Sequence, residues 1–156
     1  MIILCNSLDA LKLIDFNFHN IKLKPVLGQA IEISPNEVEI NLRSLPKHFN
    51  INGTNFIRKN NNKIIIGSTD EYDIEPNENT FEELTDFLEN KPKWLNKNNI
   101  TDKWFGIRSR PEGEPSPILK SLEKGLILCT GFYKNGILLA PACSNWVSDE
   151  ISNHLL

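Results

Sequence analysis

The sequence predicts an α+β fold: a mixed, largely antiparallel sheet with flanking helices. Three observations carry this expectation. Alternating apolar stretches punctuated by turn residues run from Ile21 to Thr69, the period-two signature of strands. A compact amphipathic stretch begins at Phe81, and a final apolar segment, Gly136–Leu155, has helical spacing. At 156 residues the chain has room for one domain and shows no internal repeat.

Taken in order, residues 2–5 (IILC) read as a short buried strand, and Ser7 stands where a helix cap would precede LDALKLI. From Ile21 to Ile33 the pattern suits one long, bent strand interrupted at Gly28. Glu37–Leu42 alternates apolar and charged residues, the mark of a strand with one wet face. Thr54–Lys59 and Lys63–Thr69 flank Asn60, Asn61 and Asn62 as a hairpin. The run KIIIGST suits a central strand. Thr80 and Glu83 have capping-box spacing ahead of a helix from Phe81 to about Glu89, with Phe81, Leu84 and Leu88 on one face and Pro92 beyond its end. Strands follow at Lys103–Arg108 and Gly125–Thr130, and the last segment places Pro141 early in its helix.

Composition excludes several classes. Seventeen Lys and Arg against twenty Asp and Glu leave a charge of −3, so there is no basic footprint for nucleic acid or an anionic membrane. Cys5, Cys129 and Cys143 form no CxxC pair, and His19, His48 and His154 lie far apart without metal-ligand spacing. The expectation is a reduced, cytoplasmic protein without a metal. Twenty Asn against four Arg favour turns and caps, a bias to which no function is attached. GxSxG, P-loop, HExxH and complete GxGxxG patterns are all absent.

Two segments bear chemistry. WFGIRSRPEGEPSP places Arg108 and Arg110 two apart at a strand end, on one face of an extended chain. Their guanidinium forks suit a carboxylate or phosphate; the alternative is a surface pairing with Glu112 or Glu114. GLILCTGFYKNGILLAPA carries a strand through a glycine turn into an apolar segment. A helix N-terminus there would offer free N–H groups and a positive dipole end to an anion or an electron-rich ring. The alternative is a hairpin turning at Asn135-Gly136.

These residues carry a resemblance. GLILCTGFYKNGILLAPACSNWVSDEI resembles the C-terminal flavin-contacting segment of the FAD-dependent D-amino-acid oxidase and glycine oxidase family, whose usual form is Gly-His-Tyr/Phe-Arg-Asn-Gly-Ile-Leu-Leu-Ala-Pro. WFGIRSRPEGEPSPIL looks like that family's Trp-x-Gly-Leu-Arg segment. KIIIGSTDE is similar to its Val-Gly-Ala/Ser-Thr-x-Glu strand, and PVLGQAIEI to its Pro-x-x-Gly-Gln strand. The four motifs stand in family order from Pro25 to Ile151 and cover about four-fifths of the chain.

The resemblance implies the family's substrate-domain fold plus the closing strand and helix of its FAD domain. Residues 1–20 would be a remnant of the FAD-binding domain, 21–124 a substrate-domain-like region and 125–156 the flavin-contacting strand and helix. The implied cofactor is FAD. Arg108 would clamp a substrate carboxylate, with Tyr133 and Lys134 as further substrate-binding residues. Gly131, Phe132, Asn135, Gly136, Ile137 and Leu138 would pass along the flavin. No residue is assigned as catalytic.

Phe132 stands where the family has His, and Lys134 where glycine oxidases have Arg; Lys keeps the charge without the bidentate fork. Asn55-Phe56 occupies the region of an expected Tyr. These departures leave the substrate open between amino acids and other primary or secondary amines. IILCNSLDAL looks like a late strand and turn of the cofactor domain, and the GxGxxG half that holds the FAD pyrophosphate is absent from the chain. Two expectations follow. One is the substrate-side portion of an FAD-dependent oxidoreductase, partnered by a separately encoded FAD-binding half or by further copies of itself. The other is a truncated, non-catalytic relative that binds no FAD. A partner-seeking apolar face is expected around residues 2–5 and 126–140.

Overall fold

The computed structural model describes residues 1–14, 20–35, 40–60 and 62–155. The chain forms two compact units, Leu27–Ile107 and a second made of Met1–Val26 with Arg108–Leu156. It passes between them twice, within the long strands β2 (Leu23–Ile33) and β6 (Ile100–Pro111). Residues 108–124, which the resemblance assigns to the substrate-side region, thus group with the two termini.

In the Leu27–Ile107 unit, β3 (His48–Ile51), β4 (Thr54–Arg58) and β5 (Ile64–Gly67) join β2 and β6 in a sheet of order β3-β4-β5-β2-β6. The expected hairpin is β4–β5, antiparallel with Phe56 opposite Ile66, and KIIIGST supplies the middle strand of the sheet. β3 was not expected. It pairs with β4 through Asn52-Gly53, both at positive φ, a short-range hairpin signal present in the sequence. β2 runs without interruption through Gly28, in place of the expected break, and every residue from Val26 to Ile33 is buried. Of Glu37–Leu42, residues 37–39 lie outside the described residues. Leu42 begins a 3-10 turn rather than ending a strand, with Asn41 Oδ1 accepting from Arg43 N–H.

Helix α1 spans Glu78–Asp86. Its cap is Asn77, whose Oδ1 accepts from Asn79 N–H at 2.9 Å, so the helix starts a turn before the expected Thr80 capping box. Phe81, Leu84 and Thr85 face inward. Phe81 and Leu84 join Phe56, Ile31, Ile33 and Leu95 in the core. Phe56 is fully buried and stacks on Phe49 at 4.8 Å; it fills the core instead of facing a site.

Two of the motif segments meet in this unit. Gln29, fully buried on β2, donates from Nε2 to both carboxylate oxygens of Glu71 at 3.0 and 3.1 Å, and its Oε1 accepts from Asn77 N–H at 3.0 Å. Thr69 Oγ1 accepts from Gln29 N–H at 2.9 Å and hydrogen-bonds Glu71. One buried amide therefore ties the second motif strand and the entry to α1 to β2, and it is fully hydrogen-bonded as burial requires.

In the unit of the two termini, β1 (Ile2–Leu4) runs parallel to β8 (Leu126–Thr130), and β7 (Ile118–Glu123) is antiparallel to β8. β7 was not expected, although its ILKSLE alternates. Residues 2–5 are not a buried strand as predicted: Ile2 and Ile3 are exposed and only Leu4 is covered, because β1 is the edge of its sheet among the described residues. Ser7–Lys12 forms a 3-10 helix. Ser7 does not cap it; at φ 57° it turns its hydroxyl to Ser109 Oγ, 3.0 Å away. Leu4, Ala10, Ile21, Ile118 and Leu128 form the core. Helix α2 occupies Gly136–Leu155 with Pro141 inside it, so Asn135-Gly136 opens a helix and not a hairpin.

Candidate functional site

Parallel β1 and β8 end side by side, and the space beyond the carboxyl ends of parallel strands is where α/β sheets place ligands. Beyond β1 the chain turns through Asn6 and Ser7. Beyond β8 it turns through Gly131–Asn135 into α2. Thr130 Oγ1 donates to Ser7 C=O at 3.2 Å, Ser116 Oγ donates to Gly131 C=O at 2.6 Å, and Tyr133 N–H donates to Ser109 C=O at 3.2 Å. These contacts pin the second loop to β1, β6 and the segment before β7. Ser7 was expected as a helix cap and serves this loop instead; Ser109 and Ser116 escaped the sequence reading. Only Ser109 left a signal there, as the inward residue between two arginines.

Gly131 is buried at φ +69°, and a Cβ there would stand 2.8 Å from Pro111 Cγ. Tyr133 also has positive φ, 52°. The loop then enters α2, where Leu139 N–H donates to Asn135 C=O at 2.9 Å. Helix geometry leaves the N–H groups of Gly136, Ile137 and Leu138 without intrahelical acceptors. Gly136 differs from Gly131: a Cβ would meet nothing nearer than Phe132 Cβ at 3.8 Å. Ile137 is 98% exposed and Leu138 77% exposed, and the helix carries no charged residue before Asp149. Within α2, Cys143 is the buried side chain among those described. Of the segments 2–5 and 126–140, Ile127–Gly131 are buried, and the exposed large apolar side chains are Ile2, Ile3, Ile137 and Leu138.

Arg108 and Arg110 alternate on β6 with buried Ser109 between them, so both side chains project from the same face. Arg108 is half-buried and Arg110 exposed. The Arg110 guanidinium lies 5.4 Å from the Tyr133 ring centre and Lys134 Nζ 5.3 Å from it, within cation–π range. Tyr133 and Lys134 are therefore brought together, and with them Arg110, which the sequence-based set of site residues omitted. Glu112 pairs with Lys24 at 3.9 Å and Glu114 with Lys120 at 2.8 Å. A polar cleft of about 370 Å³, lined by Lys22, Glu112, Glu114 and Lys120 among others, contains none of the predicted site residues. Among the described residues no cluster of His, Cys, Asp or Glu could hold a metal, and no helix is long and apolar enough to cross a membrane.

The family model for FAD dependent oxidoreductases matches residues 2–150. The chain belongs to this family. Solved structures agree in fold. Glycine oxidase from Bacillus cereus superposes with a TM-score of 0.78 at 20% identity, over 97% of this chain and 41% of that one. L-proline dehydrogenase from P. horikoshii gives 0.73 at 20% identity, over 98% and 42%. Glycine oxidase from Geobacillus kaustophilus gives 0.66 at 24% identity, over 88% and 38%. The chain thus spans about two-fifths of the length of these family members. No curated protein sequence matches it.

The first two turns of α2 combine exposed apolar side chains, open N–H groups and a glycine whose own surroundings would accept a Cβ. A flat, electron-rich ring fits that combination. The chain carries no GxGxxG segment for the pyrophosphate.

Proposed function

We propose that this chain is the substrate-side portion of an FAD-dependent oxidoreductase that oxidises an amine or amino acid, partnered by a separately encoded FAD-binding half and located in the cytoplasm. The observation that carries the reading is the exposed start of α2 at the carboxyl end of β8, in a chain that the family model matches almost throughout. Gly131, Phe132, Asn135, Gly136, Ile137 and Leu138 would hold the flavin ring. When bound, FAD supplies the acceptor for a hydride from the carbon bearing the amine, leaving an imine that water hydrolyses.

The chain's own residues bind and orient. Arg108 pairs with a substrate carboxylate through a charge-assisted, bidentate contact. Tyr133 and Lys134 flank the same loop; Lys134 brings a point charge where a fork would select an amino acid more strictly. The helix N-terminus favours negative charge beside the open N–H groups of Gly136–Leu138. Ser7, Ser109 and Thr130 keep the loop in place.

The chain is to be purified alone and together with a GxGxxG-bearing half, and the visible spectrum of each sample recorded. The expected result is flavin absorption in the two-part sample. No bound flavin in either sample overturns the proposal in favour of a truncated, non-catalytic relative.

A further inference from the structure

All three cysteines belong to the unit of the two termini. β1 and β8 are paired in parallel with Leu4 beside Leu128, so one residue further on Cys5 lies beside Cys129. Leu4 and Leu128 point into the core with Ile118, which turns Cys5 and Cys129 to the other face of the sheet. Cys5, and Cys143 of α2, both lie close enough to Cys129 to act on its ionisation. The three differ in access: Cys5 is exposed, whereas Cys129 and Cys143 are 6% and 4% exposed. The cluster is not a metal site among the described residues.

Neighbouring strands lie about 4.8 Å apart, and Cα separations of roughly 4.4–6.8 Å suit a disulfide. We propose that Cys5 and Cys129 are a redox-sensitive pair, in which peroxide oxidises exposed Cys5 and Cys129 resolves the product into an intramolecular disulfide tying the end of β1 to β8. In the first step the Cys5 sulfur takes one oxygen from hydrogen peroxide, the O–O bond breaks and water leaves, giving a sulfenic acid. In the second, the Cys129 sulfur attacks the Cys5 sulfur. The S–S bond forms, the S–O bond breaks, and the hydroxyl departs with the Cys129 proton as a second water. Two thiols are oxidised and one peroxide is reduced to two waters.

Burial, with the neighbouring Cys5 and Cys143, pushes the Cys129 thiol up to about 12, so Cys129 stays protonated at neutral pH and the first attack falls to Cys5. The bond would fix the loops that leave β1 and β8, joined already by the Thr130–Ser7 contact. A cytoplasmic disulfide of this kind is reversible rather than structural.

The test treats the whole chain, natively folded, with equimolar hydrogen peroxide, blocks remaining thiols by alkylation and maps the peptides by mass spectrometry, with and without dithiothreitol. The expected product has lost two hydrogens and contains a linked Cys5–Cys129 peptide pair; dithiothreitol reverses it. Cys143 is alkylated only after unfolding, and Cys143→Ala leaves the linkage intact. Cys5→Ser, at an exposed position, abolishes it while the circular dichroism spectrum is unchanged. Cys5 ending as a sulfinic acid, bridging two copies of the chain or pairing with Cys143 overturns the proposal.

Discussion

The two units use similar short strands to different ends. The Leu27–Ile107 unit gathers nine other buried apolar residues with Phe56, and its buried polar side chains are paired within it: Gln29 with Glu71 and Asn77, Glu32 with Lys59 and Lys63. The unit of the termini has a core cluster of five, none larger than leucine or isoleucine. It leaves Ile2 on an edge strand and Ile137 and Leu138 at a helix start in contact with solvent. The first unit builds the larger core, and what sets the second apart is a pair of almost fully exposed apolar side chains side by side at a helix start, as a surface that binds something offers. The first unit exposes apolar side chains as well: Ile57 on β4, Tyr72 and Ile74 in the loop before α1, and Trp104, Phe105 and Ile107 along β6.

The largest effect is expected where the core is concentrated. Phe56 touches Phe49 at 4.8 Å and Phe87 at 6.0 Å with no exposure of its own. Phe56→Ala should cost about 3–5 kcal/mol, read from the urea midpoint. A cost under about 1 kcal/mol, the level of a surface substitution, would break the comparison, because the site would then be as loosely packed as the exposed helix start.

Next comes the charge buried in the same unit. Glu32 is 3% exposed, with Lys59 Nζ at 2.7 Å and Lys63 Nζ at 2.5 Å. Hydrogen bonds from Lys59 and then Lys63 outweigh burial and hold its carboxyl at about 2, below the ordinary 4.5. The depressed value means that this stabilisation is complete above pH 4.5 and is lost as the pH falls through 2. Glu32→Gln cannot ionise, so it should lower stability at neutral pH by about 1.5–3 kcal/mol and flatten the acid limb of the unfolding profile. An unchanged acid limb would show that these lysines do not hold the charge in solution.

How much of this could be read beforehand divides along the same line. The α+β class, the β4–β5 hairpin and the bounds of α2 follow from alternation and helical spacing, which depend only on neighbours in sequence. What was missed depends on tertiary choice. Asn77 and Thr80 are both competent caps, and the Gln29 amide on Asn77 N–H favours the earlier start. IILC reads as buried, yet Ile2 and Ile3 are exposed because no described strand covers the outer edge of β1. In the candidate site, the resemblance names Tyr133 and Lys134, neighbours in sequence whose ring and ammonium lie 5.3 Å apart. Arg110 was singled out beside Arg108 as a charged pair, but its approach to Tyr133 depends on a loop returning to β6 through the Ser109 carbonyl, and no local pattern encodes that return.

The smallest expected effect is the sharpest, because two glycines five residues apart are required for different reasons. Gly131 sits at φ +69° with Pro111 Cγ 2.8 Å from where a Cβ would stand. Gly131→Ala must therefore either strain the backbone or displace the proline, at about 1–3 kcal/mol. Gly136 meets neither constraint: its nearest neighbour would be 3.8 Å away, and alanine is the better helix former. Gly136→Ala should thus leave stability within about 0.5 kcal/mol or raise it slightly. If the helix start holds a flavin ring, the same substitution places a methyl group where the ring approaches, and flavin retention by the two-part protein falls with the thermal midpoint unmoved. Loss of stability in Gly136→Ala would assign that glycine to the fold, as with Gly131. Full stability with undiminished flavin would leave the start of α2 exposed for another purpose.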